Sequence, residues 1–340
     1  MPTRGDMAPM RFVSPDLAGL PPPPAVEGLD FEAIVAGRLA ELEVKLGEAG
    51  LDDIIPVLAL EGEPLVIDQQ VNAAFELAYR QRVNDAVRAN LWATAVGPQM
   101  DHLAATFYDV TRLVIVEADP DAVPPVAQVD ESDDDFRERA PLSMEARSGA
   151  GPEGAYIYLA KAADGDVLDV AVYGAEDGAF YGEDEDTPVM PAEILIVALS
   201  RTGDGTASTE LQAAIRAALS PEDARPIADK VTIESARVIH FSVEAVIRHA
   251  PGADPAPLAE TATARAWAYV RARHRVGRLQ QRLGIGAALK VTDVEEIGVV
   301  LRDAEGEIID VGDINPGPKG AAFCTGITVE AQVMTGGWSV

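Results

Sequence analysis

The chain has little of what marks an enzyme, a secreted scaffold or a membrane protein. Among its 340 residues there is one cysteine, Cys324. An internal disulfide framework is therefore excluded, which fits assembly in a reducing cytoplasm. No apolar run approaches the roughly 20 residues of a membrane-spanning helix. Met1–Pro24 offers neither a basic n-region nor an apolar core, so no signal peptide is expected. Positive charge is scarce: 27 Lys and Arg stand against 56 Asp and Glu, a net charge of −29. That balance argues against general nucleic-acid binding, which needs a basic face, and keeps unassembled copies soluble. G-x-S-x-G, H-E-x-x-H, paired C-x-x-C and Walker or dinucleotide glycine patterns are all missing. No catalytic residue, cofactor or metal is expected.

The candidates for chemistry that remain have plainer readings. His102, His240, His249 and His274 are scattered without metal-ligand spacing and read as surface or half-buried histidines. Cys324 reads as a small buried thiol. Asp133–Asp135 and Asp184–Asp186 bring carboxylates together as a hard cation requires, but neither matches an EF-hand loop. The first reads as a helix N-terminus and the second as a solvated loop. Gly203-Asp204-Gly205-Thr206 reads as a tight strand-to-helix turn capped by Thr206 or Ser208.

What is present is a folded α+β chain, 48% hydrophobic. The pattern gives a helical N-terminal region followed by two mixed α/β regions. Residues 1–28 form a Pro-rich arm, with Pro21–Pro24 consecutive. The helical region, 29–112, holds a helix from Asp30 to about Ala49, one from about Leu65 to Ala95, and one over Pro98–Phe107. Val71, Ala74, Phe75, Ala78, Val83, Ala86, Val87, Asn90 and Leu91 line much of one side of the second. Residues 113–222 form a central α/β segment. It has strands near 113–116, at 167–173 and at 194–199, and a helix from Thr206 to Ser220. Residues 223–340 form a C-terminal α/β segment. Its alternation over 231–247 places Ile239, Phe241, Val243, Ala245 and Ile247 on one face of a strand and His240, Ser242 and Glu244 on the other. A long helix is predicted over 257–283 and another alternating strand over 325–333.

One surface feature departs from the acidic average. Between Glu260 and Asp293 there is no acid, yet Arg265, Arg271, Arg273, Arg275, Arg278 and Arg282 fall there. Steps of 4, 3 and 4 stack Arg271, Arg275, Arg278 and Arg282 on one face of that helix, although Gly277 costs it about 1 kcal/mol against alanine. The plain reading is a solvated face. The functional one is a strip that docks an acidic surface of a partner or second copy, for which the planar guanidinium is suited.

Seven motifs follow one another in a characteristic order. Tyr79-Arg80-Gln81-Arg82-Val83-Asn84, running on to Asn90-Leu91, precedes Gly97-Pro98-Gln99-Met100-Asp101-His102-Leu103-Ala104. Asp134-Asp135-Phe136-Arg137-Glu138-Arg139 and Gly151-Pro152-Glu153-Gly154-Ala155-Tyr156 come next, with Pro141 expected to stop the helix near Arg139. The Gly-Asp-Gly-Thr turn, Arg225-Pro226-Ile227-Ala228-Asp229-Lys230-Val231 and Ala322-Phe323-Cys324-Thr325-Gly326-Ile327-Thr328-Val329 complete the set. In this order the chain, over about residues 31–333, resembles the baseplate J-like family of contractile-tail phages and phage-derived injection particles. The acidic loop 182–191 looks longer than usual for it.

The resemblance implies an elongated, multidomain wedge subunit, not an enzyme, in the tail baseplate of a phage, tailocin or injection device. It implies assembly in the host cytoplasm and rearrangement on sheath contraction. The partners it implies are a second copy of the chain, an I-type tail protein bound through a helical bundle, a lysozyme-like small wedge protein, and hub, spike and sheath neighbours. Nucleic acid and membrane are not among them. The helix near 65–95, with Phe75, Tyr79 and Arg82, is the candidate bundle element, and the C-terminal region is the candidate ring contact. Two alternatives stand beside this reading: an acidic cation-dependent binding module and an uncharacterised hydrolase.

Overall fold

Asp30 starts the first helix: its carboxylate accepts from the Ala33 backbone N–H, and α1 runs Phe31–Glu48. The computed structural model describes residues 21, 23–148, 151–178, 180–181, 187–221, 224–309 and 312–334. Most of the Pro-rich arm and Asp184–Asp186 lie outside these. The chain divides into two compact units, Ser14–Thr111 and a larger one that holds Arg112–Val340.

In the smaller unit α1 packs on α2 (Pro64–Ala89), with Ile34, Val35 and Ala73 buried among Phe31, Leu39 and Leu77. A 3-10 stretch at Asp52–Ala59, containing Pro56, had no signal in the spacing. α2 starts with Pro64, whose missing N–H is free of cost there, and ends earlier than expected. Asn90 Nδ2 donates to the Ala86 carbonyl and Thr94 Oγ1 to the Arg88 carbonyl, so side chains take over the last helical acceptors. α3, Pro98–Phe107, buries Met100 and Ala104.

The larger unit begins with a hairpin, β1 (Val114–Val116) against β2 (Val129–Asp130). α4 follows at Asp133–Ala146, capped by Ser132 Oγ on the Asp135 N–H. The expected stop before Pro141 does not occur. Ala140, Leu142 and Ser143 are buried, and that packing carries the helix through the lost donor. α5 (Glu153–Lys161) leads into β3 (Val167–Tyr173), then a small ladder of β4 (Phe180–Tyr181) and β5 (Thr187–Pro188). β6 (Glu193–Ser200), α6 (Thr209–Ala218, capped by Ser208) and β7 (Lys230–Ser235) complete the first half. The central sheet runs β3–β6–β7, with β6 antiparallel to β3 and parallel to β7. β6 is buried on both faces, which is why it is continuously apolar. Ile196 and Ala198 face Tyr156, Leu211 and Ile215, whereas Leu195, Val197 and Leu199 pack with Val276 and Ala321.

The alternating run 231–247 is not one strand. It breaks at Ala236, and β8 (Arg237–His249) belongs to a second sheet, ordered β10–β8–β12. The predicted faces hold: Phe241, Val243, Ala245 and Ile247 are buried against α7 (Pro255–Ala272) and α8 (Arg282–Leu289). β9 (Gln280–Gln281) pairs with β11 (Asp313–Ile314), while β10 (Val294–Arg302) and β12 (Gly320–Val333) flank β8. The single long helix expected over 257–283 is corrected. α7 ends at Ala272, and Gly277 has φ 71°, a left-handed turn that puts Arg275 and Arg278 outside any helix.

Candidate interaction surfaces

On α2 the apolar pattern splits between two faces. Ala73 and Val66 face inward, while Ile67, Val71, Phe75, Tyr79 and Val83 stay exposed. Each lies four residues beyond the last, so together they form the kind of ridge that packs into a groove between side chains of another helix. Phe75 and Tyr79, both sequence candidates, are 64% and 68% exposed, and Arg82 is exposed beside them.

The polar residues of the same motif point the other way. Asn84 is buried and forms reciprocal hydrogen bonds with Glu27, whose N–H donates to Oδ1 and whose carbonyl accepts from Nδ2, both at 2.9 Å. Arg80 binds Glu76 at 2.7 Å and Glu27 at 3.3 Å. Hydrogen bonds from Arg80 and then Arg38 hold the Glu76 carboxyl below its usual range. These residues clamp the segment entering α1, a role the sequence reading had not assigned.

The acid-acid-Phe-Arg block is an ionic hub. Asp135 meets Arg201 at 2.7 Å and Arg275 at 3.0 Å. Burial alone would raise the Asp135 carboxyl; the charge and hydrogen bond of Arg201, then the charges of Arg275 and Lys161, outweigh it and leave it lowered. Arg139 and Glu131 form a buried pair at 2.7 Å. Arg112 and Arg139 both lie over Phe136, at 4.9 and 5.4 Å from its ring centre. Lys161, also buried, lies 3.8 Å from Asp169, whose other oxygen accepts from the Val276 N–H.

Arg271, Arg275, Arg278 and Arg282 therefore do not form one helical strip. Arg275 turns inward to Asp135, while Arg271, stacked 5.1 Å from the Trp267 ring, and Arg278 and Arg282 are exposed.

The histidines divide as well. His240 contacts Asp204 at 3.1 Å, and His274 Nδ1 lies 2.9 Å from the Ala322 carbonyl. Burial holds the His274 imidazole below its usual pKa. His249 corrects the expectation of a surface or half-buried ring. It is fully buried, with Nδ1 on the Ala250 carbonyl and Nε2 unpartnered among the described residues. Cys324 is the buried thiol expected, its pKa pushed up to about 11 by burial. Among the described residues no group of His, Cys, Asp or Glu is placed to hold a metal ion, and no helix is long and apolar enough to cross a membrane.

Residues 61–119, which span α2, α3 and β1, match the Baseplate J-like N-terminal domain. Baseplate protein J of Escherichia phage P2 is 39% identical over 322 residues, covering 95% of this chain and 98% of that protein. An ordered set of motifs, a family match over residues 61–119 and a relative similar along almost its whole length agree that the chain belongs to the baseplate J-like family.

Proposed function

We propose that the chain is a structural wedge subunit of a contractile-tail baseplate, in a phage, a tailocin or a related injection particle. The observation that carries this is the 39% identity to a phage baseplate protein over nearly its full length. The subunit is assembled in the host cytoplasm and connects wedges into a ring around hub and spike. Its partners are a second copy of itself, an I-type tail protein, a lysozyme-like small wedge protein and the sheath. Its work is mechanical: it holds one arrangement before firing and another after the sheath contracts. In this reading residues 29–112 form the bundle region, 113–222 the central segment and 223–340 the ring-contact segment.

The exposed α2 ridge supports the bundle assignment. Phe75 and Tyr79 are large, amphipathic or apolar side chains left in water, the residue types that anchor interfaces. The test is light scattering coupled to size-exclusion chromatography on the chain co-expressed with its neighbouring I-type tail protein. A discrete hetero-oligomer with more than one copy of this chain is expected. A monomer that ignores that neighbour overturns the wedge reading.

A further inference from the structure

The hairpin of residues 114–130 is poorly able to stand alone. Two short strands bury little, and an isolated two-stranded hairpin is marginal in water. Here Val114, Val116, Val126 and Val129 are each at least 38% exposed, and Val123 at the far end is 98% exposed. Glu117, Asp119, Asp121 and Asp130 are exposed among them. The turn is nonetheless ordered: Asp119 and Val126 exchange backbone hydrogen bonds at 3.0 and 2.9 Å, and Asp119 Oδ1 accepts from the Asp121 and Ala122 N–H groups. The result is a built, acidic, valine-rich tip whose valines stand partly or wholly in solvent.

The complement to it lies at the junction of α7 and α8. Gln280 Nε2 donates to the Val270 carbonyl and Arg273 Nε to the Leu279 carbonyl, folding the turn back on the end of α7. Arg271, Arg278, Arg282 and Leu283, which is 86% exposed, are all left in solvent. Among the described residues, Arg275 is the arginine from 271 to 282 that has an ion pair within the chain. Asp313, paired with Gln281 across β9 and β11, accepts from the Arg282 N–H with its carboxylate. Arginines beside an exposed leucine match an acidic tip that carries exposed valines in both charge and polarity.

We propose that the 114–130 hairpin of one copy docks on the Arg271, Arg278, Arg282 and Leu283 surface of a second copy. The contact joins two different patches, so it is head to tail: it closes into a ring if the rotation closes and extends into a filament otherwise. It rests on the baseplate reading, in which residues 223–340 are the ring-contact segment, and deepens it by naming the two patches that meet; it holds or fails independently of the α2 ridge.

The test is sedimentation velocity on the full-length chain over a concentration series, at about 0.05 and about 0.5 M salt, across which charge screening shortens several-fold. Reversible self-association that weakens with salt is expected. Arg278→Glu with Arg282→Glu, or Glu117→Arg with Asp121→Arg, should each weaken it about tenfold or more. Mixing the two double variants should restore association, because the reversed patch of one then faces the reversed hairpin of the other. Circular dichroism melts of both variants should match the parent, showing that the fold is kept. A parent chain that stays monomeric, self-association unchanged in either variant, or a mixture that fails to associate overturns the proposal. Phe75→Glu separates it from the bundle reading: that variant should lose the I-type neighbour and keep this self-association.

Discussion

The Tyr156 hydroxyl donates to the Asp229 carboxylate at 2.5 Å, joining the start of α5 to the loop that enters β7. Two motifs far apart in sequence are thereby one contact. Pro226 adds to it: a Cβ on Gly151 would meet the Pro226 Cδ at 2.6 Å, so the glycine lets the two segments close. Tyr156 is itself 2% exposed, and its pKa is raised by burial and then by Asp229.

Tyr156→Phe keeps the ring and removes the donor, leaving Asp229 one partner short. Denaturant unfolding should show a loss of about 1–2 kcal/mol. Because the folded-state pKa is raised, this group's contribution is present below the ordinary tyrosine pKa of about 10 and fades as pH rises through the higher folded value. Parent and variant stabilities should therefore converge only in strong alkali. Convergence already at neutral pH would show that the bond contributes nothing.

Asp135→Asn strips the charge that Arg201 and Arg275 share. All three side chains are largely buried, so roughly 2–4 kcal/mol should be lost, more than a surface pair would give. The folded carboxyl pKa is lowered, so its stabilisation is present above the unfolded value of about 3.9 and disappears as pH falls through the folded one. The gap between parent and variant should shrink in acid. A gap that does not depend on pH would point to packing as the cause.

Burial lowers the pKa of His274 in the folded chain, while in the unfolded chain it protonates near about pH 6.5. Stability should decline as pH drops below that point, and His274→Gln should flatten this part of the pH profile. An equally steep profile in the variant would assign the decline to other groups.

Phe75→Glu with Tyr79→Glu should leave the melting of the isolated chain almost unchanged, within about 0.5 kcal/mol, since both side chains already stand in water. The same pair should abolish co-purification with the I-type neighbour. Variants that bind as the parent does would remove α2 from that interface.

Much of the scaffold was legible because it follows local rules. Asp30 and Ser208 cap their helices, β3 and β6 lie where their apolar runs placed them, and the buried face of β8 follows from alternation. The misreadings arose where distant residues outweigh local ones. Pro141 is carried by the burial of its neighbours, and Gly277 turns the chain where a regular arginine spacing suggested a helix. The ionic hub was the hardest to see. Asp135 had a sufficient local account as a helix-start acid, and nothing near it in sequence shows that Arg201 and Arg275 come to it. Arg80 and Asn84 were visible as a motif, but their inward role depends on Glu27, 57 residues away from Asn84.

Ala236 is the one residue between β7 and β8, which belong to different sheets. One residue of extended chain reaches only about 3.5 Å. The two sheets therefore cannot be drawn apart by more than that without peeling a strand from its neighbours. A pull on the second sheet runs along the backbone into β7 and loads its parallel ladder with β6 in shear, along the strands and across all of its hydrogen bonds at once. Tension that enters at one end of this unit is delivered to its most deeply buried strand.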